Sequence, residues 1–247
     1  MLKKHISDLI FIKWFLFFIS LIIALLIMHQ LGFLTLMLFN DISHISSLII
    51  FIFFIFTLKV GMELFFIKDR YLNIELFLEN LSSNSKKDAV KNILYFEKSN
   101  HDGDIIIAKY VISIITLNSN SKESKEVRNS FENDLTAKLE TGWFVVDLLL
   151  KLGLVGTVIG FIIMLSAITE IENFDFTLMN TLLQNMSDGM KVALYTTLTG
   201  LVTSILLSMQ YKYLETFVYK IFHICNTCIP FFDDELKKIY EDEKKIL

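Results

Sequence analysis

The chain has 247 residues, of which 53% are hydrophobic, and its mean hydropathy is +0.54 with a net charge of −4. This apolar content exceeds that of ordinary soluble domains, and the small net charge gives no argument for binding of nucleic acid or of acidic substrates. Phenylalanine occurs 23 times and proline once, at Pro230, which favours long, unbroken helices over sheets and turns.

Four apolar segments approach or exceed the roughly 20 residues that a helix needs to cross a bilayer. Lys13 interrupts the first segment near its start, and Lys59 and Glu63 lie in the last third of the second. The first segment does not resemble a cleaved signal peptide, because its apolar run is too long and no small-residue cleavage site follows. The sequence therefore predicts an all-α membrane protein with four transmembrane helices, at residues 11–31, 45–67, 143–168 and 192–209.

The basic residues are distributed unevenly between the two sides of these segments. Apart from Lys13, Lys59 and Lys151 within the segments and Lys191, they lie before the first segment, between the second and third, and after the fourth. The connection 32–44 has no Lys or Arg, and the connection 169–191 has Lys191 alone, together with four acidic residues. Because cytoplasmic loops carry the excess of Lys and Arg, both termini are expected to be cytoplasmic.

A helical cytoplasmic insertion is expected between the second and third spans. Two polar stretches, LSSNSKK (81–87) and LNSNSKESK (117–125), are typical of loops. The apolar run 105–117 between them indicates a buried helix, although its β-branched residues would also suit a strand. No proline occurs from 122 to 168, so the third span is expected to begin as a cytoplasmic helix. The predicted domains are an N-terminal transmembrane hairpin (1–68), the insertion (69–142), a second transmembrane hairpin (143–210) and a helical tail (211–247).

The tail DDELKKIYEDEKKIL predicts a short amphipathic helix. Its apolar side would pack on another copy of itself or on the insertion, and a solvated charged end is the alternative. Cys225 and Cys228 form a CxxC beside His223, but a structural zinc site needs four ligands and no second pair exists, so reduced thiols are expected. The five histidines are scattered and no nucleotide loop is present, so we expect neither an enzyme nor a cofactor or metal.

Small and hydroxyl side chains repeat at helical spacing in the last two segments. Gly156 and Gly160 give the small-residue pattern that lets membrane helices pack closely. Hydroxyls can bond their own backbone, so packing alone could explain the pattern. Alternatively, several copies could turn these faces inward and form a lumen for a small cation. The stripes are Gly153, Gly156, Thr157 and Gly160; then Thr197, Gly200, Ser204 and Ser208; and a further polar stripe of Thr196, Thr199 and Thr203.

No carboxylate lies at mid-membrane in these segments. Asp147 falls near the inner start of the third and is expected to pair with Lys151 at i, i+4. Because proton relays in membranes generally need a titratable group deep in the bilayer, the chain either does not conduct ions or obtains the acid from a partner.

The stretches LGLVGTVIGF and GMKVALYTTLTGLVTSI resemble the paired signature of the MotA/TolQ/ExbB proton-channel family. That family has one span with a GTxxG core and another with an AL-x-x-T-x-x-GL core, after a large cytoplasmic insertion. The resemblance covers about residues 150–210, and the four-span plan is similar to the MotA branch. Two positions depart from the family pattern: Val192 stands where TolQ and ExbB have a glutamate, and Leu150 where a proline often opens the third span.

The resemblance implies a stator-type ion-channel subunit of the bacterial inner membrane. Five copies would surround two copies of a single-span partner whose aspartate takes the ion, and ion passage would drive mechanical work. It leaves open whether the ion is a proton or sodium, and which machine is driven. A non-conducting membrane scaffold that recruits a cytoplasmic partner is the alternative. The expected ion pathway comprises Thr157, Thr197, Thr196 and Ser204, and the expected packing residues are Gly153, Gly156, Gly160, Gly189 and Gly200.

Overall fold

A computed structural model describes residues 2–32, 35, 41, 43–82, 87–88, 90–91, 94, 102–117, 122–169, 176–227 and 234–246. Its regular structure over these residues is helical, which confirms the predicted fold class. The helices are α1 (Leu2–Gln30), α2 (Ile45–Ser82), α3 (Asp102–Thr116), α4 (Lys122–Thr169), α5 (Phe176–Thr227) and α6 (Asp234–Ile246).

Four of the described helices are long and apolar enough to cross a membrane, and each matches one predicted segment, the first of them to within one residue at its end. The qualifying stretches are Ile12–Gln30, Ile45–Phe77, Glu123–Ser166 and Leu182–Thr227. The third span does continue from a polar helix, as predicted, because α4 is unbroken. Residues 122–125, predicted as part of a loop, belong to its first turn, since Lys and Glu favour helix as well as solvent.

The helices contribute to two compact units. One, here called the apolar unit, comprises Lys13–Gly61 and Gly142–Tyr211. The other, the charged unit, comprises the described residues of Met1–Ile12, Met62–Thr141 and Lys212–Leu247.

A buried hydrogen-bonded chain joins three helices of the apolar unit. The indole N–H of Trp14 on α1 donates to Oε1 of Gln210 on α5 over 3.3 Å. The amide nitrogen of Gln210 donates to Oγ1 of Thr57 on α2 over 3.2 Å. All three side chains are buried, and the indole lies against Gly61, where any Cβ would overlap it. Because buried polar groups are costly unless paired, this chain fixes α1 and α2 on α5.

We expect Gln210→Leu to lower the free energy of unfolding by about 1–2 kcal/mol, because it removes both the acceptor for Trp14 and the donor to Thr57. Thermal unfolding of the purified protein in detergent measures this change. Gln184→Leu, at an exposed glutamine of the same helix, is the matched control and is expected to leave the midpoint unchanged. Equal unfolding midpoints for the two variants would show that the hydrogen bonds of Gln210 to Trp14 and Thr57 do not stabilise the apolar unit.

The core of the charged unit includes α3, which confirms the helix predicted at 105–117. Ile107, Val111 and Ile114 are buried at spacings of three and four residues, which is the helical period. The ring of Tyr110 stacks on Phe131 of α4 at 4.0 Å between centroids, and its hydroxyl donates to Oδ1 of Asn226 on α5.

The amphipathic helix α6 packs on α3, so of the predicted neighbours the structure shows the insertion. Leu236 and Tyr240 are buried on its apolar side. Nζ of Lys237 donates to the carbonyl oxygen of Thr116 over 3.1 Å. Thr116 ends α3, where unsatisfied carbonyls carry partial negative charge, so the ammonium group stabilises that helix end.

Leu236→Asp is expected to release α6 from α3, because a carboxylate cannot be buried unpaired at this position. Hydrogen exchange followed by peptide mass spectrometry should show faster exchange throughout α6 and at the end of α3. Lys238→Asp introduces the same group at an exposed position of α6 and is expected to leave exchange unchanged. Slow exchange in both variants would contradict the docking of α6.

The cysteines of the CxxC motif are only partly described. Cys225 is buried near the end of α5, and Cys228 and Pro230 lie outside the described residues. Among the residues that the structure describes, no group of three or more His, Cys, Asp or Glu could hold a metal ion.

Candidate functional site

In the apolar unit, α4 and α5 pack so closely that the backbone of one helix lies against the backbone of the other. A Cβ placed on Gly160 would lie 2.6 Å from the backbone nitrogen of Ala193 and 2.7 Å from the carbonyl oxygen of Gly189. A Cβ on Gly189 would lie 2.7 Å from the backbone nitrogen of Met164. Backbone atoms cannot rotate away as a side chain can, so this end of the contact accepts glycine only.

The same contact continues through three more glycines. A Cβ on Gly200 would lie 2.8 Å from both the Cα of Gly153 and the carbonyl oxygen of Leu149. A Cβ on Gly156 would overlap the side chain of Thr196. At Gly153 the nearest atom is 3.1 Å away, so this position is less tight. The structure therefore brings all five glycines of the predicted packing set together on one pair of helices.

Hydroxyl groups cross the contact at two points. Oγ of Ser204 on α5 donates to the carbonyl oxygen of Val146 on α4 over 2.9 Å. Oγ1 of Thr197 donates to the carbonyl oxygen of Ala193 in its own helix over 2.9 Å and lies 3.4 Å from that of Gly153. Bonds of this kind add to the close packing that holds membrane helices together.

Burial separates the four threonine and serine residues of the predicted ion pathway into two pairs. The side chains of Thr196 and Ser204 are 0% and 8% exposed within a single chain. Thr157 and Thr197 are partly exposed at the edge of the contact. A side chain can line an ion path between copies only if it is not buried within its own copy. Thr157 and Thr197 meet that condition, whereas Thr196 and Ser204 are enclosed in the helix contact.

The stripe of Thr196, Thr199 and Thr203 is buried, and each hydroxyl donates to its own helix. Thr199 donates to the carbonyl oxygen of Tyr195 over 2.6 Å, and Thr203 donates to that of Thr199 over 2.7 Å. Both lie on the side of α5 that faces α1 and α2. Each of these hydroxyls therefore has an acceptor within α5.

Charged groups flank the contact rather than entering it. The predicted pair between Asp147 and Lys151 is present, with both groups exposed. At the other end Nζ of Lys191 lies 2.8 Å from Oδ1 of Asp188. Val192, at the position of the TolQ/ExbB glutamate, is fully buried. Neither 152–169 nor 192–211 contains a charged residue, so the polar atoms that these segments present at the contact are those of hydroxyl groups and of the backbone.

Sequence reasoning missed two groups of polar residues in the apolar unit. One is the chain of Trp14, Gln210 and Thr57, whose members lie far apart in sequence and carry no local signal. The other is Asp41, which is buried and accepts bonds from the backbone nitrogens of Ser43 and Ser46 at the start of α2. Asp followed by Ser just before an apolar run is a helix-start signal that could have identified it.

Comparison with known proteins finds a family match for the region that contains this contact. The profile of the MotA/TolQ/ExbB proton channel family matches residues 100–226, just over half of the chain, and this match includes all of α3 and α4 and all but the last residue of α5. No curated protein and no solved structure gives a significant match. With its glycine-packed helix pair and four membrane-length helices, the chain belongs to the MotA/TolQ/ExbB proton channel family.

Proposed function

We propose that this protein is the ion-channel subunit of a stator-type motor, which uses a proton- or sodium-motive force to do mechanical work. The observation that carries the proposal is the glycine-packed contact of α4 and α5, with Thr157 and Thr197 accessible at its edge. This contact lies inside the region that matches the channel family.

The ion pathway would run along the accessible hydroxyls when several copies assemble. Oγ1 of Thr157 donates to the carbonyl oxygen of Leu154, so its lone pairs stay available to a cation or to water. Thr197 has the same arrangement with Ala193. Thr196 and Ser204 would then support the pathway from behind by fixing α5 on α4.

The absence of charge from these spans favours a partner that supplies the titratable group. Residues 152–169 and 192–211 have no carboxylate, although a proton relay needs one within the membrane. We therefore propose two copies of a single-span subunit bearing an aspartate, surrounded by five copies of this chain. The exposed apolar side chains of α4 and α5, including Phe161, Leu165, Leu194 and Ile205, would contact neighbouring copies or membrane lipid.

The proposed location is the bacterial inner membrane, with both termini and the charged unit in the cytoplasm. The lysine distribution supports this orientation, since Lys191 is the one Lys or Arg in the connections 32–44 and 169–191. Members of the family are channel and energy-transducing proteins, so we propose no enzymatic activity, no cofactor and no nucleic-acid partner.

The native mass of the complex tests this assignment. The chain is co-expressed with its genomic neighbours, purified in detergent and weighed intact by mass spectrometry. Five copies together with two copies of a smaller single-span protein are expected. A monomer or dimer that carries no such companion would overturn the motor assignment.

A scaffold without ion conduction is the second candidate. It is favoured by the finding that Thr157, Thr196, Thr197 and Ser204 each donate to a backbone carbonyl. Packing is then a sufficient reason for their presence. The scaffold predicts that glycine substitutions disrupt the complex while hydroxyl substitutions have no effect.

A further inference from the structure

A cavity of about 350 Å³ lies within the apolar unit, between α1, α2 and α5. It is open along one side. Helix α1 contributes Phe17 and Leu21, α2 contributes Phe53, and α5 contributes Val202 and Leu206. It lies behind α5, on the side where Thr199 and Thr203 are found. None of its lining residues belongs to the predicted ion pathway or to the predicted packing glycines. We call this cavity the slot.

The walls of the slot offer an occupant almost no polar contact. No lining residue is charged, and hydroxyls come from Ser20, Thr199 and Thr203 alone. The two threonines already donate to backbone carbonyls of α5. A water molecule needs two to four polar partners to be held in a cavity, so water is a poor occupant. The occupant that fits is a hydrocarbon.

The dimensions of the slot decide which hydrocarbon. Its lining on α5 runs from Leu198 to Leu206, and on α1 from Phe17 to Met28. At 1.5 Å per residue these stretches are about 12 and 16 Å long. Dividing the cavity volume, which is the space open to the centre of a water molecule, by these lengths gives about 20–30 Å², and the slot is about 8–9 Å across once the radius of a water molecule, about 1.4 Å, is added on each side. A helix with its side chains is 10–12 Å across and needs about 80 Å² or more. The slot therefore excludes a helix of a second copy or of a partner, and it accommodates one extended hydrocarbon chain.

We propose that the slot binds one acyl chain of a membrane phospholipid. The long axis of the slot follows α1 and α5, two of the helices long enough to cross a membrane, so an acyl chain would enter along its own direction. The bound acyl chain fills the space on the side of α5 that faces α1 and α2, opposite to the face that carries Thr197. It thereby supports α5 in its contact with α4. The proposal holds equally for a channel and for a scaffold, so it does not depend on the proposed function.

Photolabelling at limiting lipid tests the proposal. The complex is purified in detergent, stripped of lipid, and given one equivalent per chain of phosphatidylglycerol with a diazirine in the middle of one acyl chain. After irradiation, peptide mass spectrometry maps the adducts. We expect most of them on slot residues such as Phe53, Val202 and Leu206. Adducts spread evenly over exposed side chains of α2 such as Phe51 and Leu58 would overturn the proposal.

A variant that fills the slot provides the second measurement. Ala24 lines the slot, and Ala24→Phe is expected to reduce labelling of Phe53 and Leu206 at least about fivefold, because a filled site leaves no room for the chain. Ile23→Phe adds bulk to an exposed position of α1 outside the slot and should leave the labelling pattern unchanged. Val202→Phe fills the slot from α5 and replaces Ala24→Phe if that variant is not recovered as a folded complex. If a folded variant with a filled slot were labelled at the slot as strongly as the wild-type protein, the proposal would be overturned. If neither variant folds, the distribution of adducts on the wild-type protein decides by itself.

Discussion

Gly160→Ala is expected to separate α4 from α5 and to prevent recovery of the assembled complex. The added methyl group would lie 2.6 Å from the backbone nitrogen of Ala193, closer than real Cβ contacts come. Relief requires moving one helix backbone away from the other, which costs about 1–3 kcal/mol in a well-packed core and loses the neighbouring contacts as well. The yield of complex in a native gel and its thermal unfolding midpoint both measure the effect.

Gly153→Ala is the matched control on the same face of α4. Its methyl group would lie 3.1 Å from the Cα of Gly200, so it requires a backbone shift of a few tenths of an ångström, which is smaller than the shift that Gly160→Ala requires. We expect a complex of normal composition with an unfolding free energy within about 1 kcal/mol of the wild type. Equal behaviour of the two alanine variants would mean that the backbone approach at Gly160 does not hold the helices together.

The spacing of the glycines predicts that they share a face, and the structure places them at one contact. Spacing does not predict how close each glycine comes to the other helix, because that depends on the local crossing of the two backbones. Gly160 and Gly153 lie on the same stripe, yet only Gly160 faces a backbone nitrogen at 2.6 Å. Gly189 lies before the predicted fourth span but belongs to the contact, since α5 begins at Phe176.

Adjacent threonines show the same limit of sequence reasoning. Thr196 and Thr197 both belong to polar stripes, and neighbouring residues on a helix differ by about 100° in direction. This difference in direction decides whether a side chain is buried against α4 or lies at the edge of the contact between α4 and α5. It is known only once the positions of the two helices are known. The buried chain of Trp14, Gln210 and Thr57 was also beyond prediction, because its partners lie more than 150 residues apart.

The overall fold was more accessible from the sequence than the site. Apolar segments of membrane length, the scarcity of proline and the short apolar run 105–117 each predicted helix, and the structure confirms helix in each case, although the β-branched residues of 105–117 would also have suited a strand. Hydropathy did not predict the ends of the helices, because it marks only the apolar part of a helix; the polar extension of the third span was predicted from the proline-free stretch 122–168 instead. Helix α4 begins at Lys122 and runs through charged residues that are good helix formers, so nothing in hydropathy signals its start.

Thr197→Val is expected to abolish ion-driven work while leaving the complex assembled. Valine has nearly the shape of threonine, so the contact with α4 is retained and the free energy of unfolding should change by less than about 1 kcal/mol. The hydroxyl, however, is one of the two accessible oxygens at the edge of the contact. We expect ion flux to fall at least about tenfold, which corresponds to a barrier higher by about 1.4 kcal/mol. Thr157→Val removes the other oxygen and should have the same effect.

Flux is measured in liposomes that contain the complex with its single-span partner, under an imposed proton gradient and, separately, a sodium gradient. Thr199→Val is the control, because its hydroxyl donates within α5 on the side away from α4. Loss of flux in Thr197→Val with normal flux in Thr199→Val would locate the pathway on the α4 side of α5. Normal flux in all three valine variants would remove these threonines from the pathway. An equal loss in all three would indicate that valine weakens α5 as a helix, since Thr199 cannot reach an ion that passes beside Thr197.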